Sequence, residues 1–168
     1  SVYDVPVNFE KDKLADIILK SLKLEKRKGK GLGEWKKFAK NIKETDKEIN
    51  VAIVGKYFNT GDFVLTDAYL SVLEAIKYSA CAHKVKAKIH TVNACDFEIE
   101  NPNYESLNQY DGVIVPGGFG EKGIEGKLNV IRHARENKIP YFGLCYGMQL
   151  MTIEYARNVL GLAGAQTA

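Results

Sequence analysis

From residue 50 onward the chain repeats one unit: a short apolar run, a loop, then a stretch whose apolar residues recur at helical spacing. Asn50-Val51-Ala52-Ile53-Val54-Gly55 and Gly112-Val113-Ile114-Val115 have apolar interiors throughout, the pattern of strands covered on both faces within a parallel sheet. Val85 to Val92 alternates, with Lys86, Lys88 and His90 on one side, and reads as a strand with one solvated face. Asp67 to Ala80 and Leu128 to Asn137 carry the helical period, the first with Ala68, Val72, Leu73, Ala75 and Ile76 inward. This alternation predicts an α/β fold with a doubly wound parallel sheet and right-handed crossovers. Ligands gather at the carboxyl ends of the strands in such sheets.

The most informative of those ends is Gly143-Leu144-Cys145-Tyr146-Gly147-Met148-Gln149. The apolar run Ile139 to Phe142 leads into it. From Gly147 the pattern turns helical, with Met148, Met151, Tyr155 and Val159 on one side and Leu150, Ile153, Ala156 and Leu160 beside it. Cys145 therefore stands in a sharp strand-to-helix turn with a glycine two residues away on either side. Those glycines let strand and helix close on each other and hold the central residue strained and exposed, as in the nucleophile elbow of hydrolases, here with a thiol. A thiol at a helix N-terminus faces unpaired N–H groups and the positive end of the helix dipole, which favour the attacking thiolate. The N–H of Tyr146 is placed to meet an oxyanion. The competing interpretation is a buried cysteine in a Gly-rich turn, and a sulfur sealed among aliphatic side chains would decide for it.

Pro116-Gly117-Gly118-Phe119-Gly120 follows directly on the Val113 to Val115 strand. Its glycines free the backbone to turn N–H groups toward a ligand, so Gly118 can supply a second oxyanion donor opposite Tyr146. The alternative of a plain tight turn is weakened by its place beside the elbow strand. Gly118-Phe119-Gly120-Glu121-Lys122-Gly123 fits the dinucleotide fingerprint, yet Ile139 to Cys145 lacks the acidic residue that would hold a ribose. Gly126-Lys127 is followed by Leu128 rather than Ser or Thr, which excludes a phosphate loop of the Walker type.

The first 48 residues read differently. Pro6 predicts an extended segment over residues 1–8, and Leu14, Ile17, Ile18 and Leu22 predict one amphipathic helix over 10–24 whose apolar face needs a partner. Lys26 to Gly33 mixes glycines with like charges and reads as a solvated linker, before Trp35, Phe38 and Ile42 resume helical spacing. Residues 1–49 carry 13 Lys/Arg against 9 Asp/Glu and the remainder 11 against 12, so the basic excess belongs to this appendage, and the main domain has no nucleic-acid footprint. No run approaches a membrane span, and the charged N-terminus is not a signal peptide, so an intracellular, cytoplasmic location is expected. The three cysteines, an odd number at wide spacing, fit neither a disulfide framework nor a Cys-x-x-Cys metal site.

Gly143 to Gln149 together with Pro116 to Gly120 resembles the class I glutamine amidotransferases. More narrowly, Val54-Gly55-Lys56-Tyr57, Asp67-Ala68-Tyr69, Gly123-x-Glu125-Gly126-Lys127 and Ile153-Glu154-Tyr155-Ala156-Arg157 resemble the CTP synthase family, and Ser1 to Pro6 resembles the tail of its synthetase domain. The resemblance implies a flavodoxin-like sheet. It also implies a synthetase tail and interdomain linker over residues 1–48 and an incomplete amidotransferase domain over 49–168. In that family glutamine is hydrolysed in this half, and the ammonia passes to a UTP 4-phosphate made on the other with ATP and Mg2+. By position, Cys145 matches the nucleophile that forms the γ-glutamyl thioester, and Gly118 and Tyr146 match the oxyanion and glutamine-binding backbone. Gly147, Met148 and Gln149 match the rest of the glutamine-binding turn, and Phe119 an aromatic beside the site of the GTP activator. A homotetramer inhibited by CTP is implied, with no metal or cofactor in this half.

The family completes its triad with a His and a Glu downstream of the nucleophile, whereas His83, His90 and His133 all precede Cys145. None of them is placed as the base, so this polypeptide alone is expected to be nearly inactive in glutamine hydrolysis, a proton-transfer deficit typically worth about 10²–10⁴-fold. Two other classes stand beside this expectation: a cysteine hydrolase of the flavodoxin-like group, which commonly carries His where Tyr146 stands, and a non-catalytic assembly module.

Overall fold

The expected strands form one parallel sheet of four: β1 (Glu48–Gly55), β2 (Lys86–Asn93), β3 (Gly112–Val115) and β4 (Tyr141–Gly143), in the order β2-β1-β3-β4. The computed structural model describes residues 1–27, 29, 31–56, 69–118 and 122–167; the expected helix start at Asp67 falls outside these. β1 is central, paired in parallel with β2 from Glu48↔Lys86 to Gly55↔Asn93 and with β3 from Val51↔Gly112 to Ile53↔Ile114. β3 pairs with β4 from Val113↔Tyr141 to Val115↔Gly143. The chain leaves β1 to one side to make β2 and then crosses back to make β3, so the topological switch lies between the carboxyl ends of β1 and β3.

Successive side chains of a strand point to opposite faces, and each face has its own cover. Ala52, Val54, Val113 and Val115 pack with Leu128, Val130 and Ile131 of α5 (Ile124–Glu136) and with Leu150 and Ile153 of α6 (Tyr146–Asn158). On the opposite face Ile53 packs with Tyr69 and with Val72, Leu73 and Ile76 of α4 (Leu70–Ala82). Ala75, expected inward, is exposed, because it faces an apolar groove of about 600 Å³ that runs from α4 across Val51 and Ile114 to Phe142 and Leu144. α5 begins a turn before the expected Leu128. The polar look of Glu125-Gly126-Lys127 hides the burial of Gly126 and Lys127, where the first turn closes on the chain after β2 so tightly that a Cβ at Gly126 would lie 1.9 Å from the Ala94 carbonyl oxygen.

The N-terminal expectation needs correction. Residues 1–8 are not extended: Val2–Asp4 form a 3-10 turn capped by the Ser1 side chain, and α1 (Val5–Lys11) follows at once. Pro6 sits in the first turn of α1, where its missing N–H forfeits no helical bond. The single helix expected over 10–24 is broken at Lys13, which adopts a left-handed φ of 54°, so that α2 (Leu14–Ser21) starts afresh. Ile17, Ile18, Leu22 and Leu24 remain exposed.

α3 (Gly33–Glu44) lies where Trp35, Phe38 and Ile42 predict it. Phe38 stacks on Tyr78 of α4 with ring centroids 4.5 Å apart, and Tyr3 meets both rings edge-on at 5.4 and 5.9 Å. Trp35 Nε1 donates to the Tyr3 carbonyl at 2.8 Å, and the Tyr3 hydroxyl donates to the Glu74 carboxylate. Burial and that carboxylate push the Tyr3 pKa up to about 12. Residues 1–4 and α3 are thus strapped onto α4. Among the described residues no helix is long and apolar enough to cross a membrane.

Candidate active site

β4 runs into α6 through Leu144 and Cys145, and the turn is as sharp as the glycine spacing predicts. Cys145 has φ 53° and ψ −110°, a conformation that residues bearing a Cβ avoid and that costs on the order of 1–3 kcal/mol. Two glycines make it possible. A Cβ at Gly143 would stand 2.6 Å from the Gly147 carbonyl and the Met148 nitrogen, and one at Gly147 would stand 2.0 Å from the Val115 carbonyl oxygen. Strand, helix and the neighbouring strand therefore meet backbone to backbone.

Hydrogen bonds lock the turn. Leu144 N donates to Val115 O at 2.9 Å, tying the elbow to the end of β3, and Gly147 N donates to Leu144 O at 3.0 Å. The Cys145 carbonyl accepts from Met148 N at 3.1 Å and Gln149 N at 3.3 Å, which starts α6. Behind the turn the Tyr141 hydroxyl donates to Gly147 O at 2.8 Å, and burial pushes the Tyr141 phenol well above its ordinary range.

The Cys145 thiol is exposed, so the buried-cysteine interpretation fails. Cys81, by contrast, is buried, with its thiol pKa raised by that burial, and its Sγ donates to the Phe38 carbonyl at 3.7 Å. The loop after β3 reaches Cys145 through Gly117, a residue to which sequence reasoning assigned no role: a Cβ there would lie 3.2 Å from Cys145 Cβ and 3.6 Å from Sγ. Its signal in the sequence is its place between Pro116 and Gly118, where any side chain would crowd the thiol. Gly118 follows, half-buried, and the N–H groups of Gly118 and Tyr146 enter no hydrogen bond among the described residues. Met148 and Gln149 are exposed beside Cys145, while Gly147 is buried beneath it. Phe119 lies outside the described residues.

The three histidines are engaged elsewhere. His90 Nε2 is 3.0 Å from Asn50 Oδ1, and His133 Nε2 is 2.9 Å from Asn108 Oδ1 with its ring stacked on Tyr104. His83 caps the far end of α4. Glu154 of the Ile153-to-Arg157 motif is a structural residue: it is buried and accepts Arg135 in two directions, from Nε at 3.0 Å and from the guanidinium NH2 at 2.8 Å, joining α5 to α6.

The structure thus holds an exposed cysteine at positive φ between strand and helix, with a glycine loop against its sulfur. The family model described as glutamine amidotransferase class-I matches residues 64–167, the span that holds both loops. The chain belongs to the class-I glutamine amidotransferase family. With that, the hydrolase and assembly-module alternatives lose their support.

Relatives of this amidotransferase carry a narrower description. The CTP synthase of Thermococcus gammatolerans is 46% identical over 165 residues, covering 98% of this chain and 30% of the relative. That of Listeria innocua is 42% identical over 168 residues, covering 100% and 30%, and that of Methanocaldococcus jannaschii 42% over 172 residues, covering 99% and 31%. The chain thus spans about 30% of the length of the CTP synthases it matches. A solved structure of the Trypanosoma brucei CTPS glutaminase domain with bound acivicin superposes with a TM-score of 0.64 at 38% identity, covering 71% of this chain and 44% of that one. The four-stranded doubly wound sheet is the flavodoxin-like fold of the family.

Proposed function

We propose that this amidotransferase is the glutamine-hydrolysing part of a CTP synthase, with Cys145 as its nucleophile. The observation that carries the role of Cys145 is its exposed thiol at φ 53° at the N-terminus of α6. The Cys145 sulfur attacks the carboxamide carbon of glutamine, and the tetrahedral oxyanion is met by the N–H groups of Gly118 and Tyr146. Collapse of that intermediate breaks the C–N bond and releases ammonia, leaving a γ-glutamyl thioester. Water then adds to the thioester and releases glutamate with return of the thiol. Gly147, Met148 and Gln149 form the turn that receives the glutamine. The proton transfers need a base that His83, His90 and His133, each placed elsewhere, do not provide.

Identities of 42–46% to CTP synthases over nearly the whole chain support the rest of the reading. Ammonia made here aminates UTP in an ATP- and Mg2+-dependent step carried by sequence outside these 168 residues. Residues 1–48 serve as the tail of that synthetase part and the interdomain linker. GTP activates from a site beside Phe119, and the whole enzyme is a cytoplasmic homotetramer.

A chloroketone analogue of glutamine tests the core of this reading. Peptide mapping by mass spectrometry is expected to find one adduct, on Cys145, with glutamine protecting against it. Modification of Cys145 no faster than that of Cys81 and Cys95, or no protection by glutamine, overturns the assignment.

A further inference from the structure

We propose that Tyr141 is a positioning residue for the nucleophile, a cross-brace that holds the elbow in the pose Cys145 needs; the inference rests on the reading of Cys145 as the nucleophile. Tyr141 opens β4, and its ring is packed against the core formed with α5 and α6. Its hydroxyl passes behind the turn and donates to Gly147 O at 2.8 Å. In an α-helix that carbonyl also accepts from the residue four positions on, so the tyrosine adds a bond to the first turn of α6 without displacing a helical one.

The brace acts on the bond that most needs it. Only Leu144 and Cys145 separate β4 from α6, and Cys145 would relax by returning from φ 53° to negative φ. That rotation swings the first turn of α6 away from β4 and opens the gap where Gly143 meets Gly147. The Tyr141 hydroxyl spans the same gap from strand to helix. Burial holds its pKa up, which keeps the hydroxyl a donor through the alkaline pH at which thiols are assayed. Among the described residues the Tyr141 hydroxyl bonds Gly147 O and not Cys145, so its effect on chemistry passes through the turn.

The test compares wild type, Tyr141→Phe and a protein with 4-aminophenylalanine at 141, which restores a donor. Rates of modification of Cys145 by iodoacetamide and by the glutamine-like chloroketone are read by mass spectrometry, with Cys95 in the same molecules as the internal reference, alongside Tm. The phenylalanine protein is expected to react about fivefold more slowly at Cys145, the factor one ordinary hydrogen bond is worth. Cys95 stays at its wild-type rate, and Tm falls by only about 3 °C. The amino variant recovers most of the Cys145 rate. An unchanged Cys145 rate in a wild type that labels selectively overturns the brace. So does a parallel loss at Cys95, or a phenylalanine protein that does not fold, since each makes Tyr141 a residue of general stability. A wild type in which Cys145 reacts no faster than Cys95 fails the nucleophile reading itself, and the brace with it.

Discussion

Cys145 is held in a conformation that its own Cβ resists, and its neighbours carry the strain. Gly143 and Gly147 leave no room for a methyl group. We expect Gly147→Ala to destabilise the protein by on the order of 3 kcal/mol by overpacking against Val115, and to abolish selective labelling of Cys145, as read by thermal melts and mass spectrometry. A second residue under strain is Lys127. It is buried, its pKa is pushed down by that burial and by Lys56, and no hydrogen bond or ion pair among the described residues reaches its ammonium. Because its folded pKa lies below the ordinary value of 10.5, the penalty is present at neutral pH and fades as pH rises through the folded pKa. Lys127→Met should therefore raise stability by about 1 kcal/mol at pH 7, seen as a Tm higher by about 2–4 °C, with the gain shrinking in alkaline buffer.

The helices differ in what fixes them. α5 is fixed by backbone proximity at Gly126, and Gly126→Ala should cost about 3 kcal/mol or more, because the helix must retreat from Ala94. α3 is fixed by aromatic rings and by Tyr3, whose carbonyl accepts from Trp35 of α3 and whose hydroxyl donates to Glu74 of α4. Trp35 is the one tryptophan of the chain and reports on that strap directly. Tyr3→Ala should shift its fluorescence to the red and lower stability by about 2 kcal/mol. Selective labelling of Cys145 should survive, because the strap lies on α4 and the elbow helix packs on the other face of the sheet. An unshifted emission spectrum would mean that Trp35 is not held by Tyr3. Sequence reading found α3 from spacing alone but missed the strap, because Tyr3 and Glu74 are 71 residues apart and nothing in either segment points to the other.

For the molecule as a whole, alkaline pH is the informative variable. Tyr3 and Tyr141 both have pKa values raised in the folded state, the first to about 12, against an ordinary 10.0. Below pH 10 both are neutral whether folded or not, and stability does not depend on them. Above pH 10 the unfolded chain loses their protons while the folded one keeps them, so stability should fall with each further rise in pH until the folded values are passed. Tyr3→Phe should remove part of that slope in Tm against pH and leave the part due to Tyr141; an identical slope in the variant would contradict the burial of Tyr3.

Much of this fold could be read from local pattern. The wholly apolar runs announced the central strands β1 and β3, the alternating run announced the edge strand β2, and the glycines around Cys145 announced a sharp strand-to-helix turn that leaves the thiol exposed. Each signal lies within a few residues of chain, where periodicity and turn chemistry act directly. Other features were decided by contacts between distant segments: the approach of Gly117 to the Cys145 sulfur, the Tyr141 hydroxyl behind the turn, the burial of Lys127 and Glu154, and the folding of residues 1–4 onto α4. Burial and hydrogen bonding depend on which surfaces meet across the sheet. That is a property of the packed chain, and no local stretch of sequence carries it.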